Sequence, residues 1–198
     1  MMYYHCRPLK YIQYGKIQPP PIEIIDDDFK HCYRWLGHYC GYNPQIWLSR
    51  STSQLTGYKN KHSKKEDFVM FGFDVIKGFN VDFEAWELFI HSIFSFVSRK
   101  NAFDIEKLNN YIFQEIQSFV DDSEEDEDDF FERYRGLSFD QILNNILFVE
   151  NDQVVVPSLN LKSAKEIFVR TEKVKKKLRK MGFIEDRIKI MPNKLNTY

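Results

Sequence analysis

The chain has 198 residues, 43% hydrophobic and 16% aromatic, which is enough apolar area for one domain with a proper core. A formal net charge of −1 excludes attraction to polyanions by bulk charge, although residues 121–129 are almost wholly acidic and residues 170–180 strongly basic. Three cysteines (Cys6, Cys32 and Cys40) exclude a disulfide framework, and the most apolar stretch, residues 88–97, is too short to span a bilayer.

In chain order, residues 3–7 predict a short strand. Pro8 suits the first turn of a following helix, and Gly15 a left-handed stop. His5 and Arg7 are two apart, so on an extended chain both point to one side. Asp26, Asp27 and Asp28 favour a helix start before Phe29, Tyr33, Leu36 and Cys40, and Gly41 with Asn43 and Pro44 ends that helix. Residues 45–49 read as a strand, and residues 68–76 as a buried strand rich in aromatic and β-branched side chains. Between them, Ser51, Thr52 and Ser53 can cap a short helix through Tyr58, followed by a basic loop.

Residues 80–82 start the longest apolar helix, with Phe83, Trp86, Phe89 or Ile90, Ile93 and Val97 inward. Ile105, Leu108, Ile112, Ile116 and Phe119 stripe a second helix. The acidic run 121–129 reads as a solvated turn or loop, and Phe139, Ile142, Leu143 and Ile146 as another helix. Val154, Val155 and Val156 form a strand stopped by Pro157. Residues 166–170 alternate at Ile167 and Val169 and read as a strand, with helix as the alternative; a basic helix over 171–181, closed by Gly182, follows, and residues 187–190 alternate as a last strand. The sum is an α+β protein of short strands, a single domain over 1–198 with a helical insertion at about 80–148 that includes the acidic loop 121–129.

His31, Cys32, His38 and Cys40 do not match a zinc finger or ribbon spacing, so core cysteines and surface histidines are expected and no metal. Arg170, Lys173, Lys175, Lys176, Lys177, Arg179 and Lys180 make the clearest electrostatic patch, with Arg170, Lys173, Lys176, Lys177 and Lys180 as the candidate nucleic-acid contacts. It reads either as a solvated helix face with Val174, Leu178 and Met181 inward, or as a phosphate contact that gives affinity without sequence information. The acidic run reads as solvation or as a contact for a protein partner. With no leader-like N-terminus and no membrane segment, the expected location is cytoplasmic.

Three stretches resemble the ADP-ribosyltransferase fold in order: the opening run around His5, residues 46–58 with a strand entering Ser51, Ser53 and Tyr58, and residues 151–157 with the strand and helix that follow. The closing stretch is similar to bacterial DNA-targeting ADP-ribosyltransferase toxins. The resemblance implies a split sheet and NAD as cofactor. It also implies modification of nucleic acid, or of protein, in conflict between bacteria and mobile elements. His5 would hydrogen-bond the ribose, Arg7 or Arg50 pair with the diphosphate, Ser51 and Ser53 support the ribose, and Tyr58 stack on nicotinamide. The family places a catalytic Glu where this chain has Gln153, and a Gln carries neither the charge nor the base. The nearest carboxylates are Glu150 and Asp152. A shifted alignment, an unusual acid such as Glu150, and nucleotide binding without turnover all stay open. The competing reading is a non-enzymatic protein of phage defence or anti-defence that binds a partner through the acidic run or the basic helix.

Overall fold

The computed structural model describes residues 2–12, 15–17, 27–43, 45–50, 68–74, 76–99, 102–122, 129–150 and 153–191. Its strands are β1 (Tyr3–Pro8), β2 (Lys16–Ile17), β3 (Ile46–Ser49), β4 (Phe68–Phe73), β5 (Phe79–Val81), β6 (Gln153–Val156), β7 (Leu159–Asn160), β8 (Glu166–Val169) and β9 (Ile188–Ile190). Its α-helices are α1 (Asp27–Cys40), α2 (Phe83–Ser98), α3 (Ile105–Asp122), α4 (Asp129–Glu132), α5 (Phe139–Ile142) and α6 (Glu172–Lys180). The α+β class expected from the sequence is present. The chain divides into two compact units: residues 1–19, 45–78 and 152–198, and residues 20–44 and 79–151.

The first unit is built on a mixed sheet in which β6, β3, β1, β4, β8 and β9 lie in that order. All these pairs are antiparallel except β8 with β9. One transverse row of directly opposed residues runs Gln153, Ser49, Tyr4, Gly72, Glu166. Opposed residues share a face and neighbours along a strand alternate, so this row assigns every side chain to a side. Leu48, Val154, Phe71, Ile167, Val69 and Val169 fall on the other side. There they form one core with Val174 and Leu178 of α6 and with Phe183. Burying this branched apolar set is what holds the unit together.

α6 forms where the sequence predicts it. The Thr171 hydroxyl accepts the Val174 N–H, Val174 and Leu178 are buried, and Gly182 adopts the left-handed φ of 96° that closes the helix. The opening run differs from expectation. Pro8 ends β1 opposite Phe68, and only a single 3₁₀ turn, Leu9–Tyr11, follows. Three residues between two extended ones cannot start an α-helix. Gly15 does take a left-handed φ, of 129°, but it leads into β2, and its carbonyl accepts the Leu161 N–H at 2.7 Å. The β2–β7 pair was not legible at two residues per strand.

The second unit is helical and aromatic. Asp82 caps α2 by accepting the Ala85 N–H at 2.8 Å, while its own N–H donates to the Leu147 carbonyl. The ring of Trp35, fully buried in α1, lies 5.8 Å from Trp86 and 5.1 Å from Phe89, and its Nε1–H donates to Asn109 at 2.8 Å. The stripe on α3 is Leu108, Ile112, Ile116 and Val120. Phe119, expected inward, is instead 41% exposed, because steps of four residues carry the buried line to position 120. On α2 the buried line likewise passes through Phe96, leaving Val97 half-buried. Asn80 and Val81, read with Asp82 as a helix start, belong to β5. The helix expected around Phe139 continues from α5 into a π-helical turn, Leu143–Leu147. The acidic run is not one loop, since Asp121 and Asp122 end α3 and Asp129 begins α4.

Candidate nucleic-acid interface

The apolar face of the first unit holds His5, next to Phe71 and the row beginning at Leu48. Its Nδ1 lies 3.0 Å from the Trp47 carbonyl oxygen. A carbonyl only accepts, so the hydrogen sits on Nδ1 and leaves Nε2 with a bare lone pair. That Nε2 is fully buried and has no hydrogen-bond partner among the described residues. Burial, with the Arg7 cation as a smaller contribution, lowers the imidazole from its ordinary value to about 4, against the opposing pull of the Trp47 carbonyl. His5 is a neutral imidazole at neutral pH. Arg7 lies on the same side, two residues along, as the spacing requires, and is half-buried.

Gln153 belongs to the transverse row and so faces the opposite side from His5. The two are not brought together. Gln153 is buried beside Ser49, while Glu150 is exposed and belongs to the second unit. Arg50 is engaged locally: its Nε and Nη2 donate to the Tyr3 hydroxyl at 3.1 and 2.7 Å. Ser51, Ser53, Tyr58 and Asp152 lie outside the described residues. On the side of the sheet that carries Gln153, sequence reasoning missed a cluster. The Tyr4 hydroxyl donates to Glu166 at 3.1 Å, and Lys189 Nζ donates to the other Glu166 oxygen at 2.7 Å. Gly72 makes room for it, since a Cβ there would come within 2.8 Å of Glu166 Cγ and 3.0 Å of the Tyr4 ring. Burial and the Glu166 hydrogen bond raise the Tyr4 phenol, so it is a donor and not a base. The cluster satisfies itself and reads as a sheet fastener.

The basic helix has a different character. With Val174 and Leu178 buried, rotation by 100° per residue sets Lys173, Lys176, Lys177 and Lys180 in one exposed stripe. None of these four pairs with a carboxylate among the described residues. Lys175 and Arg179 lie on the other flank, and both are held by Glu185, at 3.9 and 3.0 Å. Arg170 sits at the end of β8, just before the helix cap. The stripe presents four point charges along less than 15 Å of helix by the rise of about 1.5 Å per residue. That is a surface suited to a run of phosphates and unsuited to reading a planar base edge.

Among the described residues no group of three or more histidine, cysteine or acidic side chains could hold a metal, and Cys32 is buried as a core thiol. No described helix is long and apolar enough to cross a membrane. No protein-family model, curated protein or solved structure matches the chain significantly.

Proposed function

We propose that this protein binds nucleic acid by its phosphate backbone, through the lysine stripe Lys173, Lys176, Lys177 and Lys180 of α6 with Arg170 at its foot. The single observation that carries this reading is that the four lysines are exposed on one side of a helix and unpaired among the described residues, in a protein whose net charge is −1. Four like charges within one short helix repel one another, at a cost that an internal carboxylate would relieve. Phosphates relieve it as well, and release condensed counterions as they do so.

An NAD-dependent transferase needs a ribose-binding His5 and a group at position 153 facing the same ligand. The pleat of the sheet turns these two apart, so the geometry favours binding over turnover. Measurable nicotinamide release from NAD would restore the transferase reading.

The test is fluorescence anisotropy of the full chain with labelled duplex DNA of random sequence across a salt series. With four phosphates neutralised, log Kobs should fall against log salt with a slope of about 3 to 4. Replacing all four lysines with Gln should flatten that slope and abolish binding at moderate salt. Stability should stay within about 0.5 kcal/mol, because all four side chains are exposed and form no ion pair among the described residues. A folded wild type that does not bind at low salt, or a quadruple variant that binds unchanged, overturns the reading.

A further inference from the structure

We infer that Lys175 and Arg179 form a second phosphate subsite on α6, closed in the free protein by the Glu185 carboxylate; the inference rests on the nucleic-acid reading above. Glu185 opens the 3₁₀ turn Glu185–Arg187 that follows the basic helix. Its two oxygens are divided between two cations, with Oε1 3.9 Å from Lys175 Nζ and Oε2 3.0 Å from Arg179 Nη2. A bridging carboxylate with one oxygen toward each cation has the layout that two non-bridging oxygens of a phosphodiester would present.

The clamp has little to do with holding the fold. Arg179 and Glu185 side chains are 50% and 46% exposed, and ion pairs that exposed contribute at most about 1 kcal/mol. The turn is held independently, since Arg187 Nη1 donates to the Ala164 and Lys162 carbonyls at 2.9 and 3.2 Å. Lys175 and Arg179 are one helical turn apart, so they form their own short stripe beside the lysine quartet. Glu185 therefore masks two of the six cations of α6. It is a residue that sets how much of the helix is available to a polyanion.

The experiment compares Glu185→Gln with Asp186→Asn in the salt-series binding assay. Asp186 is the exposed neighbour, and its replacement removes the same charge without opening the clamp. Glu185→Gln should steepen the salt slope by about one to two units and tighten binding about tenfold at low salt. Asp186→Asn should give a smaller gain with no change of slope. Adding Lys175→Gln and Arg179→Gln to Glu185→Gln should return the slope to the wild-type value. Equal effects of the two single variants, or an unchanged slope in Glu185→Gln, overturn the subsite while leaving the lysine-quartet reading intact. Absence of any wild-type binding overturns both.

Discussion

A buried carboxylate of the second unit and the basic helix of the first use charge in opposite ways. In the second unit Asp82 is absorbed into structure: it caps α2 and faces Arg133 at 3.9 Å, and Arg133 itself lies 4.3 Å over the Phe130 ring. In the first, the core is an aliphatic-rich sheet face, and the basic helix that covers it leaves four lysines with no internal partner among the described residues. Charge that a fold consumes explains stability. Charge that it leaves unspent points to an external ligand, and this is why the functional reading rests on the first unit.

The largest expected effect probes the aromatic side of that contrast. Trp35→Ala removes a fully buried ring and its hydrogen bond to Asn109, and should cost about 3–5 kcal/mol in denaturant unfolding. A loss below about 1 kcal/mol would mean that the aromatic set does not carry the second unit.

Next comes the buried imidazole of the first unit. Its folded pKa of about 4 lies below the ordinary value of 6.5, so between those values the unfolded chain binds more protons. His5 therefore leaves stability intact above pH 6.5 and drains it as pH falls toward 4, by about 3 kcal/mol at most. His5→Gln should flatten that part of the stability-against-pH curve relative to wild type. Equal slopes in the two proteins would show that the imidazole is solvated, and would bring it back as a candidate ligand-binding group.

The smallest of the three effects lies on the opposite face of the same sheet. Gly72→Ala places a methyl against Tyr4 and Glu166 and should cost about 1–3 kcal/mol through displacement of their hydrogen bond. The Tyr4 phenol, raised by burial and by Glu166, should then titrate closer to its ordinary value in an ultraviolet pH titration. A phenol that titrates as in wild type would show that the cluster had absorbed the methyl without parting.

The sequence was most readable where one local signal acted alone. Asp82 before an apolar run, Thr171 and Gly182 around the basic helix, and alternation at Ile167 and Val169 each specify an element within a few residues, and the structure has each of them. The lysine stripe was legible for the same reason, because helical periodicity and exposure follow from Val174 and Leu178 being apolar. The misreadings fall where short segments take their conformation from distant partners. Pro8 is a strand residue because Phe68 pairs with it, and β5 has three residues with no periodicity of their own.

By itself, then, the amino-acid order determined the α+β class, the ends of α1 and α6, the cap of α2 and the basic face of α6, since capping, periodicity and charge act over four residues or fewer. Only the tertiary structure decided which face each strand turns inward. The register that links Gln153, Ser49, Tyr4, Gly72 and Glu166 joins residues up to 162 positions apart, and a slip of one would exchange the two sides. That same register puts His5 on the apolar face of the sheet and Gln153 on the opposite face, a separation no local pattern encodes.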